Sequence, residues 1–570
     1  MTAGRIRHLF RIGVLLAAFT ACNGGGSRDH PPSLDPAAPS PAPASSVHVY
    51  FNDPLATLPQ RAKNEALAGD LAPALIQLLG SARQSIDAAV YHVSAPRVIN
   101  ALGRACRRGV QVRLLIEGET RHGQRYPSCV AVRPDNNQRL MHDKFTIVDG
   151  STVWTGSTNW TDSDLELDAN NAVTIRSRAV ARAYQAEFEQ MFNHGRFGMA
   201  KANRSPERFQ IGKVAVEVYF SPADRPARVL RSLIRGARRR IQIALFTLTQ
   251  NTIYRALLEA HGRGVSIAAV WDFSQTRLCQ VSKVDDLLRL DRNTGVLDAY
   301  PGLLHDKYAV IDGAIVVTGS ANWSASGLGT SGRGSNDEDL VVFHSPEIAA
   351  HYAANFSQLY QDAVRYDADA AEPLRLEIRE FQSAGNGTAL VTWRPQRRVP
   401  VTHYEICRAM SSRGRCQRRF TIPGGRYYFV DRGLVPGGRF FYRVRSASAG
   451  RWTADSNVYK ATVRGDLPVL SAEQAKHPRY RGRTVSVRFR VANTPKPKGK
   501  GGHVFLDAGR DYKSDFTAFI PGCALPRLEA SGVGLRNLRG TTMEVTGELH
   551  EYHGPEIVVT EPWQLHRLGD

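Results

Sequence analysis

One phrase occurs twice in this chain, 163 positions apart. His142, Lys144 and Asp149 lead to Gly156, Ser157 and Asn159; His305, Lys307 and Asp312 lead to Gly319, Ser320 and Asn322. Counted from the histidine, lysine falls at +2, aspartate at +7, serine at +15 and asparagine at +17 in both copies. The flanking text repeats as well. Each copy opens on Val-Tyr-Phe, at 49–51 and 218–220, continues through an amphipathic stretch, 71–79 or 229–234, and reaches a buried-looking strand, 86–91 or 241–246. A helical segment then stops at Gly109 or Gly264, and an aliphatic run follows, 110–116 or 265–271. Glycine closing a helix and an apolar run opening a strand are ordinary punctuation. Strand–helix–strand order, repeated twice, implies a parallel or mixed sheet covered by helices. The expectation is two homologous α/β lobes, 47–205 and 212–366.

The duplicated residues suit one kind of chemistry. A phosphodiester anion repels nucleophiles, so a protein that cleaves one must neutralise the phosphoryl oxygens, supply a nucleophile and protonate the leaving oxygen. Lys144 and Lys307 offer the positive charge, and Ser157, Asn159, Ser320 and Asn322 are candidate hydrogen-bond donors to the phosphate. One neutral imidazole attacks phosphorus; the other, protonated, donates to the leaving group. No metal or other cofactor is called for. Two histidines facing one phosphate titrate as a coupled pair, so a bell-shaped pH profile is expected. Asp149 and Asp312 complete the copies and count with the catalytic set, either fixing the site by hydrogen bonds or serving the fold alone. Asp143 and Asp306 follow the histidines, point to the other strand face, and take surface or structural roles.

These residues resemble the phospholipase D superfamily, whose signature is His-x-Lys-x4-Asp followed by Gly-Ser-x-Asn. Both copies match at every signature position, and the resemblance covers about 47–366. It implies two phospholipase D-like α/β/α lobes with one active site at their pseudo-twofold interface, and a metal-independent route through a covalent phosphohistidine. By the same resemblance His142 attacks and His305 is the general acid. A glutamate further on usually orients the imidazole; Glu338 fits that role in the second half, whereas Asn170 stands where the acid is expected in the first. Asparagine holds a tautomer but cannot stabilise an imidazolium by charge. A single chain supplies both copies, so the expected active unit is a monomer.

The remaining segments have other textures. Residues 1–22 carry Arg5, Arg7 and Arg11, then a short apolar run and small residues before Cys22. This reads as an export signal. The end resembles a lipobox, with Cys22 as the lipidated residue, although Phe19 stands where leucine is usual. The expected product is exported and lipid-anchored to the cell envelope, or secreted if Cys22 is not modified. Residues 23–46 are a Gly, Pro, Ser and Ala tether. Six further cysteines, Cys106, Cys129, Cys279, Cys407, Cys416 and Cys523, permit disulfides in an exported protein, and Cys407 and Cys416 are placed to staple a hairpin. None has zinc-ligand spacing. Beyond about residue 370 short alternating strands take over. Residues 372–466 resemble a fibronectin type III sandwich around Trp393 and Tyr442, and 467–570 resemble a five-stranded OB-fold barrel with Lys496, Lys498 and Lys500 in its first loop.

The formal charge of +21 favours a polyanion. Over 371–470 alone there are 18 Lys and Arg against 7 Asp and Glu. With the OB-like barrel, this favours nucleic acid as substrate. A phospholipid is the alternative, supported by the expected lipid anchor. A nucleic-acid or envelope-binding protein without catalysis is a third reading, opposed by the intact residues in both copies. A lipid synthase is disfavoured, because no stretch beyond the leader is apolar enough to cross a bilayer.

Overall fold

The computed structural model describes residues 46–52 and 71–568 apart from short stretches, of which 377–386 and 494–501 are the longest. The export segment with Cys22, the tether up to Ser45, Cys279 and the loop lysines Lys496, Lys498 and Lys500 lie outside the described residues.

The first lobe runs β1 (Val47–Phe51), α1 (Leu71–Ser81), β2 (Ser85–Val90), α2 (Pro96–Arg107), β3 (Gln111–Ile116), β4 (Ala131–Pro134), β5 (Lys144–Val148), β6 (Thr152–Gly156), α3 (Asp162–Glu166), β7 (Asn171–Arg176) and α4 (Arg178–Phe192). The second runs β8 (Glu207–Ile211), β9 (Val214–Ser221), α5 (Pro226–Gly236), β10 (Arg240–Leu245), α6 (Asn251–Gly262), β11 (Ser266–Trp271), α7 (Val284–Leu290), β12 (Val296–Leu297), β13 (Lys307–Ile311), β14 (Ile315–Gly319), β15 (Glu338–His344) and α8 (Pro346–Ala368). The first sheet has the order β1-β7-β6-β5-β2-β3-β4. The second repeats it as β9-β15-β14-β13-β10-β11-β12, with β8 added outside β9. In each, the strand that follows the key histidine lies in the middle of the sheet. Residues 144–148 and 307–311 are buried throughout, as a strand covered on both faces must be.

The covering layers explain where the site forms. One face of the first sheet packs under α1 and α2, with Leu75, Leu79, Val98 and Leu102 in its core. One face of the second packs under α5 and α6, with Leu230, Ile234, Ile253 and Leu257. The inner faces share a single core. Phe145, Tyr184 and Phe188 of the first lobe join Phe220, Tyr308, Tyr352 and Phe356 of the second. Fusing the two inner faces therefore fixes the lobes against each other by apolar burial, and brings the ends of β5 and β13 together.

Two β modules follow. Strands 389–392 and 428–431 form a small sheet facing a larger one built from 403–409, 418–423, 439–448 and 459–462, with Trp393 and Tyr442 buried between them. Arg394 anchors this sandwich to the second lobe: its guanidinium pairs with buried Asp298, and Nη2 donates to the Gly302 carbonyl at 2.8 Å. In the last module, 484–490 pairs antiparallel with 542–551, 504–507 antiparallel with 517–520, and 517–520 parallel with 555–558. The 542–551 strand turns into 555–558, and a helix, Leu525–Ala530, lies between the third and fourth of these five strands. Strands 469–471 and 565–567 join as well, so the sheet has seven strands where five were expected, and the OB-like barrel is corrected in strand number. Disulfides join Cys106 to Cys129 and Cys407 to Cys416.

Candidate active site

Each lobe hands its histidine to the other. The chain before β5 pairs across the lobe boundary, where His142 N–H donates to the Asp337 carbonyl at 2.9 Å. The chain before β13 does the same, with His305 N–H on the Ala169 carbonyl at 2.8 Å. The side chains follow. His142 Nδ1 lies 2.7 Å from Glu338 Oε2, and His305 Nδ1 lies 3.1 Å from Asn170 Oδ1 and 3.4 Å from Asp164 Oδ1. The sequence comparison places Glu338 and Asn170 at matching positions; the structure adds that each serves the histidine of the opposite copy. Both imidazoles are more than nine-tenths buried. Tyr91 packs on His142 with ring centroids 4.8 Å apart, and Phe246 on His305 at 5.1 Å. The same rings lie under the lysines, Lys144 Nζ 5.1 Å from Tyr91 and Lys307 Nζ 5.3 Å from Phe246. This aromatic pair was not singled out from sequence, although Tyr91 directly follows β2 and Phe246 directly follows β10.

The lysines show how close the two copies are. Lys144 and Lys307 each donate to the carbonyl of their own histidine at 2.6 Å. Burial pushes Lys307 down to about 7, and the charge of Lys144 adds to that effect. Burial brings Lys144 down to about 8, against the opposing pull of Glu338 and Asp164. Burial and the charges of both lysines hold His142 well below its usual value. His305 is lowered to about 3 by burial and by Lys307, with Asp164 opposing. Burial pushes the Glu338 carboxyl up to about 8, with Lys144 opposing. In the free site both imidazoles are thus neutral, and the two lysines share it with the Asp164 carboxylate.

Ser157 and Ser320 are not free to bind phosphate. Ser157 Oγ accepts from Asn171 N–H at 3.0 Å and donates to Asn170 Oδ1 at 2.7 Å. Ser320 Oγ accepts from Asp339 N–H at 2.9 Å and donates to Glu338 Oε2 at 2.8 Å. A hydroxyl has one hydrogen to give, and here it orients the side chain that orients the imidazole. The preceding glycine makes this possible: a Cβ on Gly156 would stand 2.4 Å from the Asn171 carbonyl, and one on Gly319 2.5 Å from the Asp339 carbonyl. Asn159 gives one amide hydrogen to Asp164 Oδ1 at 3.0 Å. Asn159 Oδ1 and Asn322 Oδ1 are buried without a hydrogen-bond partner among the described residues.

The placement of Asp149 and Asp312 with the catalytic set is corrected. Both follow the far end of their strand, roughly 20 Å along the chain from the histidine at ~3.3 Å per residue. There they cap a tight turn. Asp149 accepts from the amides of Arg83, Gln84 and Ser85, and Asp312 from those of Arg238, Arg239 and Arg240. Both residues adopt positive φ, 51° and 54°, a conformation that short polar side chains tolerate. Asp143 and Asp306 do point away from the imidazoles, but into a buried seam between the lobes and not to the surface. Asp306 Oδ1 accepts from Asn171 Nδ2 at 2.6 Å. Asp143 finds no hydrogen-bond partner among the described residues, and burial raises its carboxyl well above the usual range, with the Asp339 charge adding to the effect.

A family model matches both lobes of the chain. Residues 75–192 and 230–360 match the family model described as cardiolipin synthase, PLD-like domain. The chain is 34% identical over 146 residues to a mitochondrial cardiolipin hydrolase of Xenopus tropicalis, covering 25% of this chain and 64% of that protein. It is 29% identical over 147 residues to a phospholipase D of Rickettsia bellii, covering 26% of this chain and 70% of that protein. The chain therefore spans less than two thirds of the length of that cardiolipin hydrolase. Among solved structures, Nuc of Salmonella typhimurium, described as a phospholipase D family member, is similar at 26% identity and a TM-score of 0.22, covering 26% of this chain and 94% of that one.

Proposed function

We propose that the protein hydrolyses phosphodiesters at the buried site between its lobes, since residues 75–192 and 230–360 match the model of a phospholipase D-like domain. The observation that carries this reading is the crossed pairing of His142 with Glu338 and His305 with Asn170 and Asp164. In the proposed reaction the substrate's phosphoryl oxygens sit against Lys144, Lys307 and the amides of Asn159 and Asn322. His142 Nε2 attacks phosphorus. The bond to the leaving oxygen breaks, and that oxygen takes its proton from His305 Nε2. Water, deprotonated by His305, then cleaves the phosphorus–nitrogen bond and restores His142. The anion's own charge offsets that of the lysines, which favours the imidazolium that His305 needs. Electrostatic stabilisation by preorganised cations is the main source of rate in such a site.

Nucleic acid is the favoured substrate. Support comes from the +21 charge and from the last module. Its second and third barrel strands turn Val504, Leu506, Ala518 and Ile520 inward. On the opposite face Phe519 lies between His503 and Phe505, with ring centroids 5.4 and 5.2 Å away. Both phenylalanines are half-buried, and aromatic side chains of this kind stack bases without sequence preference. A phospholipid is the second reading, supported by relatives named phospholipase D and cardiolipin hydrolase and by the expected lipid at Cys22. Exported, envelope-anchored protein remains part of the proposal; a mass spectrum of the mature N-terminus tests it. Among the described residues no helix is long and apolar enough to cross a membrane.

The deciding experiment presents single-stranded DNA, plasmid, RNA, phosphatidylcholine vesicles and cardiolipin vesicles to the full chain in EDTA. Cleavage of nucleic acid without headgroup release is expected, and Phe505→Ala with Phe519→Ala should weaken binding of long DNA more than cleavage of a small diester. Headgroup release alone reverses the ranking. Salt-sensitive DNA binding with no cleavage of any substrate leaves the non-catalytic reading.

A further inference from the structure

The two halves match residue for residue around the serine and asparagine, and that match exposes one displaced carboxylate. After Asn159 the first half reads Trp-Thr-Asp-Ser-Asp164-Leu; after Asn322 the second reads Trp-Ser-Ala-Ser-Gly327-Leu. The backbones correspond. Asp164 N–H donates to Thr161 Oγ1 at 3.0 Å, and Gly327 N–H donates to Ser324 Oγ at 3.0 Å. Leu165 and Leu328 are both buried. The carboxylate is therefore exchanged between two positions. The second half has Glu338 on the strand and glycine in the turn; the first has Asn170 on the strand and Asp164 in the turn. A side chain at 327 is excluded, since its Cβ would lie 2.4 Å from the Asn322 carbonyl.

Asp164 is held as a charge-bearing group would be. It is buried. Oδ2 accepts from Thr161 Oγ1 at 2.7 Å, and Oδ1 from Asn159 Nδ2 at 3.0 Å. Oδ1 also stands 3.4 Å from His305 Nδ1. Burial alone would raise its pKa, yet the hydrogen bond and charge of His305, the Thr161 hydroxyl and Lys144 hold it below the usual carboxylate range. Asn170 completes the arrangement. Its Nδ2 donates to the Asp164 carbonyl at 3.0 Å, which leaves Oδ1 facing His305. An amide oxygen there fixes which ring nitrogen carries hydrogen but adds no net charge.

We propose that Asp164 is the positioning residue for His305, supplying a negative charge from the turn after the Gly-Ser-x-Asn phrase, where His142 has the carboxyl of Glu338 presented from a strand. Asn170 sets the tautomer and Asp164 stabilises the imidazolium, so the substitution at 170 divides the usual task between two side chains and does not abolish it. This assignment rests on the phosphodiesterase reading above.

The test uses Asp164→Asn, which keeps the size and the contact with Thr161, in the full chain. Two methyl phosphodiesters are compared in EDTA, one losing p-nitrophenol and the other phenol. A good leaving group departs without a proton and a poor one does not. Asp164→Asn should lower kcat/KM about a hundredfold on the phenyl ester, at the lower end of general-acid effects, and leave the p-nitrophenyl ester within about threefold. KM should be unchanged on both. Equal losses on the two esters indicate a role in folding alone and overturn the assignment, as does no loss on either. Wild-type protein silent on both esters defeats the phosphodiesterase reading, and the assignment falls with it. Should Asp164→Asn lower Tm enough to blur the rates, the double variant Asp164→Asn, Asn170→Glu decides. Recovery of at least tenfold on the phenyl ester, with Tm still low, supports the charge; no recovery contradicts it.

Discussion

The two halves of the site share a backbone and differ in where they keep their acids. In the second half consecutive carboxylates, Glu338 and Asp339, follow the serine; in the first both stand as amides, Asn170 and Asn171. The outer member of each pair lies in the same nest. Asn171 Oδ1 accepts from Thr318 at 2.8 Å and Tyr352 at 3.2 Å, while Asp339 Oδ2 accepts from Tyr184 at 2.7 Å and from Thr155. The difference lies in what faces them. Asn171 donates to Asp306, so an amide meets a carboxylate. Asp339, Glu187 and Asp337 add their charges to that felt by Asp143 and Lys201 opposes them, so acids crowd a buried seam around one lysine. A duplicated fold thus preserves donors and acceptors by geometry while charge moves between positions. Lobe 1 has shed two buried acids and holds Asp164 in the turn instead.

The comparison breaks most sharply at Glu338. Glu338→Gln gives the second half the amide of the first, but position 327 is glycine and offers no second carboxylate. The expected loss is about 10³-fold in kcat, within the range of general acid–base effects, and larger than that of Asp164→Asn. Steady-state rates on a small diester check it, and a loss under tenfold would show that the charge on the histidine's partner matters little.

The lysines sharpen the comparison through pH. In the free protein Lys307 discharges near 7 and Lys144 near 8. Their folded values lie below the usual lysine value, so positive charge is present below those pH values and is lost as pH rises through them. The value of kcat/KM should therefore fall from about pH 7 upward. Bound phosphodiester is an anion and raises both lysines, so the alkaline fall of kcat should appear at higher pH. Coincident alkaline limbs would contradict a shared phosphate site.

The smallest effect is expected in the seam. Asp143→Asn would give Asp339 the amide partner that Asp306 already has in Asn171. Asp143 has a raised value in the folded chain, so its cost to stability grows as pH rises above the unfolded value near 4. The substitution should raise Tm by about 2 °C at pH 8, corresponding to about 1 kcal/mol, and by less at pH 5. Thermal melts at the two pH values measure it.

Much of this was legible in sequence because the repeat is itself a structural statement. The two homologous α/β lobes and the equivalence of His142 with His305 and of Lys144 with Lys307 follow from matching one copy to the other; the strand order and the crossing of each histidine to the opposite lobe do not. Asn170 is visible as a departure for the same reason. Asp164 was missed because an acid in the first turn of a short helix is an ordinary N-terminal residue, and only its alignment with Gly327 marks it. Asp149 and Asp312 were misplaced because nearness along a strand is distance in space: the residue that closes the phrase lies at the opposite end of the sheet from the one that opens it. The serines were misjudged since a hydroxyl's partner is a property of the packed strand beside it, which spacing does not record. The Cys407–Cys416 pair followed from its hairpin; Cys106–Cys129 needed the fold to bring 23 residues of chain back on itself.

The most direct test of the account traps the bond to phosphorus. His305→Ala is mixed with methyl p-nitrophenyl phosphate in EDTA, quenched within the first turnover, and mapped by mass spectrometry under conditions that preserve phosphohistidine. The account predicts close to one phosphoryl adduct per chain, on His142, accumulating because the group that would activate water is gone. A variant that releases p-nitrophenol at the wild-type rate, with no adduct on any histidine, would contradict it.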